Sequence, residues 1–159
     1  MTEIDYSSAE AERQELFEYT KHFPFFKLMG IELVEIEPGR AKMRMVWRND
    51  LCQPAGIMHG GAIASLVDTS VAHSILLTVA YLQAKAKGGS LVSVDLRIKY
   101  LRPVSSGIVT CEARAPRIGR QITHTTAVVT DSAGKEVAHG DSIYMIVASG
   151  QLQKKPAGR

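Results

Sequence analysis

Gly60, Gly61 and Asp68 stand in the stretch GIMHGGAIASLVDTS, residues 56–70, and their types and spacing are those of a site that attacks a carbonyl group. Where a helix begins, its first backbone N–H groups have no acceptor within the helix. With the positive end of the helix dipole they form a cradle for an oxyanion, and glycine lets a ligand approach the backbone closely. Asp68 lies two turns further on, among Leu66, Val67 and Val71. A lone carboxylate in hydrocarbon loses hydration that nothing replaces. Such a group has a task as nucleophile or general base, where water is scarce. Cradle and carboxylate together are the minimal equipment for hydrolysing an acyl bond. The plainer alternative is a structural carboxylate bonded to a neighbouring strand, with glycines that only permit close packing.

Reach decides how the two could cooperate. Eight residues of helix separate Gly60 from Asp68, roughly 12 Å along the axis. A carbonyl held at Gly60 needs its attacker within roughly 3.5 Å. An aspartate side chain cannot bridge the difference. If both act on one substrate they come from different subunits, an antiparallel neighbour setting its Asp68 opposite Gly60. The active unit is then at least a homodimer with two symmetric sites.

The rest of the chain must position these groups. Its 159 residues, 45% hydrophobic and 22% charged, suit one domain with a real core. Residues 1–23 read as a helical extension, 24–148 as the domain and 149–159 as a flexible basic tail. SSAEAERQELFEYTKHF carries serine caps and early acids, so an amphipathic helix is expected until Pro24 breaks it. In IELVEIEPGRAKMRMVWR, Ala41, Met43, Met45 and Trp47 alternate with Arg40, Lys42, Arg44 and Arg48, a hairpin turning at Pro38-Gly39 with one wet face. From Leu51 to Ala84 there is no Lys, Arg or Glu, and Asp68 is the only carboxylate. One long helix from Gly60, apolar nearly all round, is expected there, ended by KAKGG. Residues 91–103, LVSVDLRIKYLRP, set Val92, Val94, Leu96, Ile98 and Tyr100 against Ser93, Asp95, Arg97 and Lys99. Further strands follow, with turns at Gly119 and DSAG. The order implies an α+β fold in which an antiparallel sheet curls around one central helix.

The pattern Q-x-x-G-x-x-H-G-G-x-x-x-x-L-x-D, from Gln53 to Asp68, resembles the signature of hotdog-fold acyl-CoA thioesterases. It is closest to the phenylacetic-acid-degradation type and the 4-hydroxybenzoyl-CoA type, and VSVDLRIKYLRP resembles the strand after their helix. The resemblance spans roughly residues 24–147. It implies that Asp68 is the nucleophile or general base and that the Gly60 N–H polarises the thioester carbonyl, with Gly61 beside it at the substrate. It also implies that Gln53 helps hold substrate or water, that Ser93 positions the attacking water and that His59 orders the loop. Gln53 fits the hydroxybenzoyl type and Asp68 with Ser93 the phenylacetate type, so the acyl group stays open. Acyl-CoA is the implied substrate, no cofactor is needed, and dimers paired into homotetramers are the expected assembly. A non-catalytic acyl-CoA-binding module and a hotdog enoyl-CoA hydratase or dehydratase are the alternatives.

Several classes are disfavoured. His59, His73, His124 and His139 have no i, i+4 pair and no acid or thiol at ligand spacing, so no metal is expected. There is no G-x-S-x-G elbow, and Cys52 lacks a base. Cys52 and Cys111 are too few for a disulfide framework. With an acidic N-terminus unlike a signal or transit peptide, they suggest a cytoplasmic protein. The net charge of +3 demands no nucleic acid, and Asp68 and His73 interrupt any membrane span. Lys99, Arg102, Arg117 and Arg120 gather near strand ends in the sequence, and Arg117 and Arg120 are the expected contacts to the CoA nucleotide. Met58, Phe25, Phe26 and Leu28 are candidates for the acyl pocket.

Overall fold

The computed structural model describes residues 6–149; the basic tail from 150 and the capping serines' side chains lie outside the described residues. Helix α1 spans Tyr6–His22 and packs Leu16 and Phe17 against Ile36, Ala41 and Leu77. Pro24 ends it as expected but also starts a second helix, α2 (Pro24–Met29), because proline is tolerated in a first turn. Gly30, at φ 68°, closes α2. Phe26 and Met58 enter the core, whereas Phe25 and Leu28 are 41% and 68% exposed.

Strands β1 (Ile31–Glu37) and β2 (Arg40–Val46) form the hairpin predicted at Pro38-Gly39. Ala41, Met43 and Met45 are fully buried. On the other face Lys42 reaches Glu35 at 2.8 Å and Arg44 reaches Glu32 at 2.7 Å. Such exposed pairs are worth at most about 1 kcal/mol each; the buried methionines hold the hairpin down. Strands β3 (Ser90–Tyr100), β4 (Ile108–Ile118), β5 (Ile122–Thr130) and β6 (Glu136–Val147) complete one antiparallel six-stranded sheet, ordered β1-β2-β4-β5-β6-β3. Helix α3 (Gly60–Leu76) crosses its concave face and touches every strand. Leu66, Val67, Val71 and Ile75 are fully buried against Met43, Val109, Cys111 and Val129. This is the hotdog arrangement.

Two expectations need correction. The single helix from Gly60 to Ala84 is two: α3 stops at Leu76 and α4 (Val79–Lys85) leaves it at 85°. Thr78 makes the break, its backbone extended at ψ 146° and its hydroxyl donating to Ile75 O at 2.7 Å while accepting from Tyr81 N–H. A threonine that serves its own backbone this way caps a new helix instead of continuing the old one. Among the described residues no single helix is long and apolar enough to cross a membrane.

The second correction concerns β3. Its pairing with β6 slips between Ser93 and Asp95, leaving Val94 unpaired and 57% exposed. The extra residue of a bulge reverses the alternation. Leu91 and Ser93 therefore face α3 before the bulge, and Leu96 and Ile98 face it afterwards. Ser93 belongs to the helix side of the sheet, not to the polar face that simple alternation assigns it.

Candidate active site

Asp68 is neither enclosed nor unpartnered. One stripe of α3, running Ala64, Ser65, Asp68, Ala72 and Leu76, is only half-buried. Its Asp68, Ala72 and Leu76 form the floor of a cleft of about 560 Å³, walled by Leu16 and Tyr19 of α1, Tyr81 and Lys85 of α4, and Leu91 and Ser93 of β3. Lys85 is tied to Glu12 of α1 across this cleft. The carboxylate Oδ1 accepts a 2.6 Å hydrogen bond from the Tyr144 hydroxyl and a 3.3 Å bond from Ser93 Oγ. Tyr144 Oη also lies 3.1 Å from the Asp68 carbonyl oxygen. Burial first, then the bond to Asp68 and its charge, push the Tyr144 phenol well above its ordinary range. The phenol therefore stays protonated and donates.

The diglycine end is built separately. His59 caps α3 in an extended conformation, and its Nδ1 accepts from the Gly61 N–H at 2.8 Å. Gly61 is thus not a free donor. The Gly60 N–H, in contrast, has no acceptor among the described residues. Only Gly60 of the expected pair offers its N–H to a ligand. Above it lies Tyr100, whose hydroxyl donates to Gly60 O at 2.9 Å. A Cβ on Gly60 would sit 3.1 Å from the Tyr100 ring, so a larger residue there would make the ring give by a few tenths of an ångström. Gln53 stands in the tight loop before α3, its Oε1 accepting from Ala55 N–H at 2.8 Å. That leaves its amide N–H₂ to point elsewhere.

The structure brings Asp68 and Ser93 together and gathers Gln53, His59, Gly60 and Gly61 at the other end of two helical turns. Strand register orders the basic residues likewise. Lys99 pairs with His139, near the start of β6, while Arg117 pairs with His124 and Ile122 with Met145, near its end. Lys99 and Arg102 therefore lie at the diglycine end and Arg117 and Arg120 at the Asp68 end; they form no single cluster. Arg120 lines a second cleft of about 470 Å³ with Lys87 and Gln121. Sequence reasoning missed Tyr144 and Tyr100, because pairing partners across a sheet carry no local signal. Among the described residues no three His, Cys, Asp or Glu side chains could hold a metal. Burial pushes the Cys111 thiol to about 12.

Comparison with known proteins follows this geometry. The family model described as Thioesterase superfamily matches residues 55–138, more than half of the chain and all of α3. The chain belongs to the thioesterase superfamily. Among its relatives, acyl-coenzyme A thioesterase 13 of Homo sapiens is 29% identical over 137 residues, covering 84% of this chain and 93% of that one. The proofreading thioesterase EntH of Klebsiella pneumoniae is 34% identical over 107 residues, 67% of this chain and 74% of its own. The structure of conserved protein PA5202 from Pseudomonas aeruginosa superposes with a TM-score of 0.72 at 26% identity, covering 80% of this chain and 97% of that one. This thioesterase-superfamily chain is a thioester hydrolase of hotdog fold.

Proposed function

We propose that this thioesterase hydrolyses acyl-CoA, and that each site combines Gly60, His59 and Gln53 of one protomer with Asp68 and Ser93 of another. The observation that carries this is the division of the site: a free N–H at Gly60 and an accessible carboxylate at Asp68, eight residues apart on one helix. Neither half can finish the reaction alone. The thioester carbonyl would dock on the Gly60 N–H, which strengthens its bond as negative charge builds on the oxygen. Asp68 would attack the carbonyl carbon, giving an acyl–aspartate anhydride that water then hydrolyses, or take a proton from a water that attacks directly, with Ser93 beside that water. The CoA thiolate departs and takes up a proton; the acid remains. The acyl group would lie in the cleft beside Asp68, over Leu16, Ala72, Leu76 and Leu91. Arg117 and Arg120, at the same end of the sheet, would meet CoA phosphates. Pairs of such dimers would assemble as tetramers, as the family resemblance implies.

Free-thiol release by wild type and Asp68→Asn, across aromatic, short-chain and long-chain acyl-CoAs, tests the proposal. A loss of at least about a hundredfold in kcat with an unchanged melting temperature is expected for the variant. Wild-type turnover by Asp68→Asn would overturn it. The acyl-CoA with the highest kcat/KM identifies the cleft's natural occupant.

A further inference from the structure

We propose that Tyr144 is a positioning residue for Asp68: it holds one carboxylate oxygen so that the other is presented to the cleft. The inference rests on Asp68 acting as nucleophile or base. Three elements meet at one atom. Asp68 comes from α3, Ser93 from β3 and Tyr144 from β6, and both hydroxyls donate to the same oxygen, Oδ1, at 3.3 and 2.6 Å. Oδ2 has no hydrogen-bond partner among the described residues. Ser93 and Tyr144 are directly opposed in the β3–β6 ladder, so their side chains rise on one face at fixed spacing. The bulge at Val94 follows at once and ends that spacing.

The division of labour follows from hydrogen-bond chemistry. An oxygen that accepts a short bond from a phenol has lost much of its basicity. The unbonded oxygen keeps its lone pairs and, with Oδ1 pinned, has one direction in which to use them. Tyr144 is 4% exposed, too deep to touch an acyl group in the cleft except at its hydroxyl rim. The other ionisable groups on the cleft wall are Glu12, Glu15 and Tyr19 of α1 and Tyr81 and Lys85 of α4; none of them bonds Asp68. Asp68 is thus held by Tyr144 first and Ser93 second.

The test is Tyr144→Phe, which keeps the ring and removes the donor, measured beside Asp68→Asn, Ser93→Ala and the Tyr144→Phe/Asp68→Asn double variant. Tyr144→Phe is expected to lower kcat roughly ten- to a hundredfold with KM within about twofold. In the Asp68→Asn background the same change should cost nothing further, there being no carboxylate to hold. Ser93→Ala, which loses the longer bond to the same oxygen, should lower kcat by less than Tyr144→Phe does. A Tyr144→Phe enzyme with wild-type kcat, beside an inactive Asp68→Asn, overturns the positioning role and leaves Asp68's role intact. An active Asp68→Asn overturns both. If Tyr144→Phe does not fold, Tyr144→Met decides: a folded variant with wild-type kcat overturns the proposal.

Discussion

Subunit mixing tests the division of the site most directly. Gly60 occupies the first helical position of α3, where proline is tolerated. His59 already lies at φ −64°, ψ 136°, the region a residue before proline prefers. Gly60→Pro therefore deletes the free N–H of Gly60 while keeping the helix. The half-exposed Tyr100 ring, 3.1 Å from where a Cβ would sit, yields by a few tenths of an ångström. Loss of one oxyanion donor costs roughly 10²–10³ in kcat, so Gly60→Pro and Asp68→Asn should each retain about 1% of wild-type turnover or less. Random reassortment of the two makes half the dimers hybrid. Each hybrid has one site with both lesions and one with neither, so the mixture should recover about a quarter of wild-type activity. Thiol release after co-refolding, with hybrids counted by native mass spectrometry, reads the result. A mixture no more active than its parents, with hybrids demonstrably present, would show that roughly 12 Å of helix is bridged within one chain and would refute the reach argument.

Two predictions concern the scaffold. Gly140 of β6 lies under α3, where a Cβ would come 2.5 Å from Val67 Cγ1 and 3.2 Å from Ile98 Cδ1. Gly140→Ala should push the helix off the sheet next to Asp68 and cost roughly 1–3 kcal/mol; an unchanged urea midpoint would contradict the packing. Burial, only partly opposed by the bond to Thr69 O, holds buried His73 below the usual imidazole range. A group depressed in the folded state adds stability that is present above its unfolded pKa of about 6.5 and is lost as pH falls below it. Melting temperatures should drop faster between pH 6.5 and 5 for wild type than for His73→Gln, and parallel curves would exclude His73 as the cause.

How much of this was legible in the sequence depended on whether the signal was local. The hairpin could be read because Ala41, Met43 and Met45 alternate with charges around Pro-Gly. Asp68 and the diglycine could be read because one helix carries them at fixed spacing. Ser93 was found only through family resemblance; alternation put it on the wrong face, because the extra residue at Val94 has no compositional mark. Tyr144, the shortest contact to the carboxylate, lies 76 residues away in the chain and becomes visible only once the β3–β6 register is known. The bend after Leu76 was hidden because Thr-Val-Ala reads equally well as helix interior until the Thr78 hydroxyl turns to its own backbone.

Strand β3 runs along the outside of the sheet and is held by a single ladder, yet it serves both chemical ends of the molecule. Ser93 near its start touches the carboxylate, and Tyr100 at its finish steadies the peptide of Gly60. An outermost strand is ordinarily the part of a sheet that can best be spared. On the proposed mechanism, peeling this margin from β6 would disarm the attacker and unsettle the electrophile's seat in a single event.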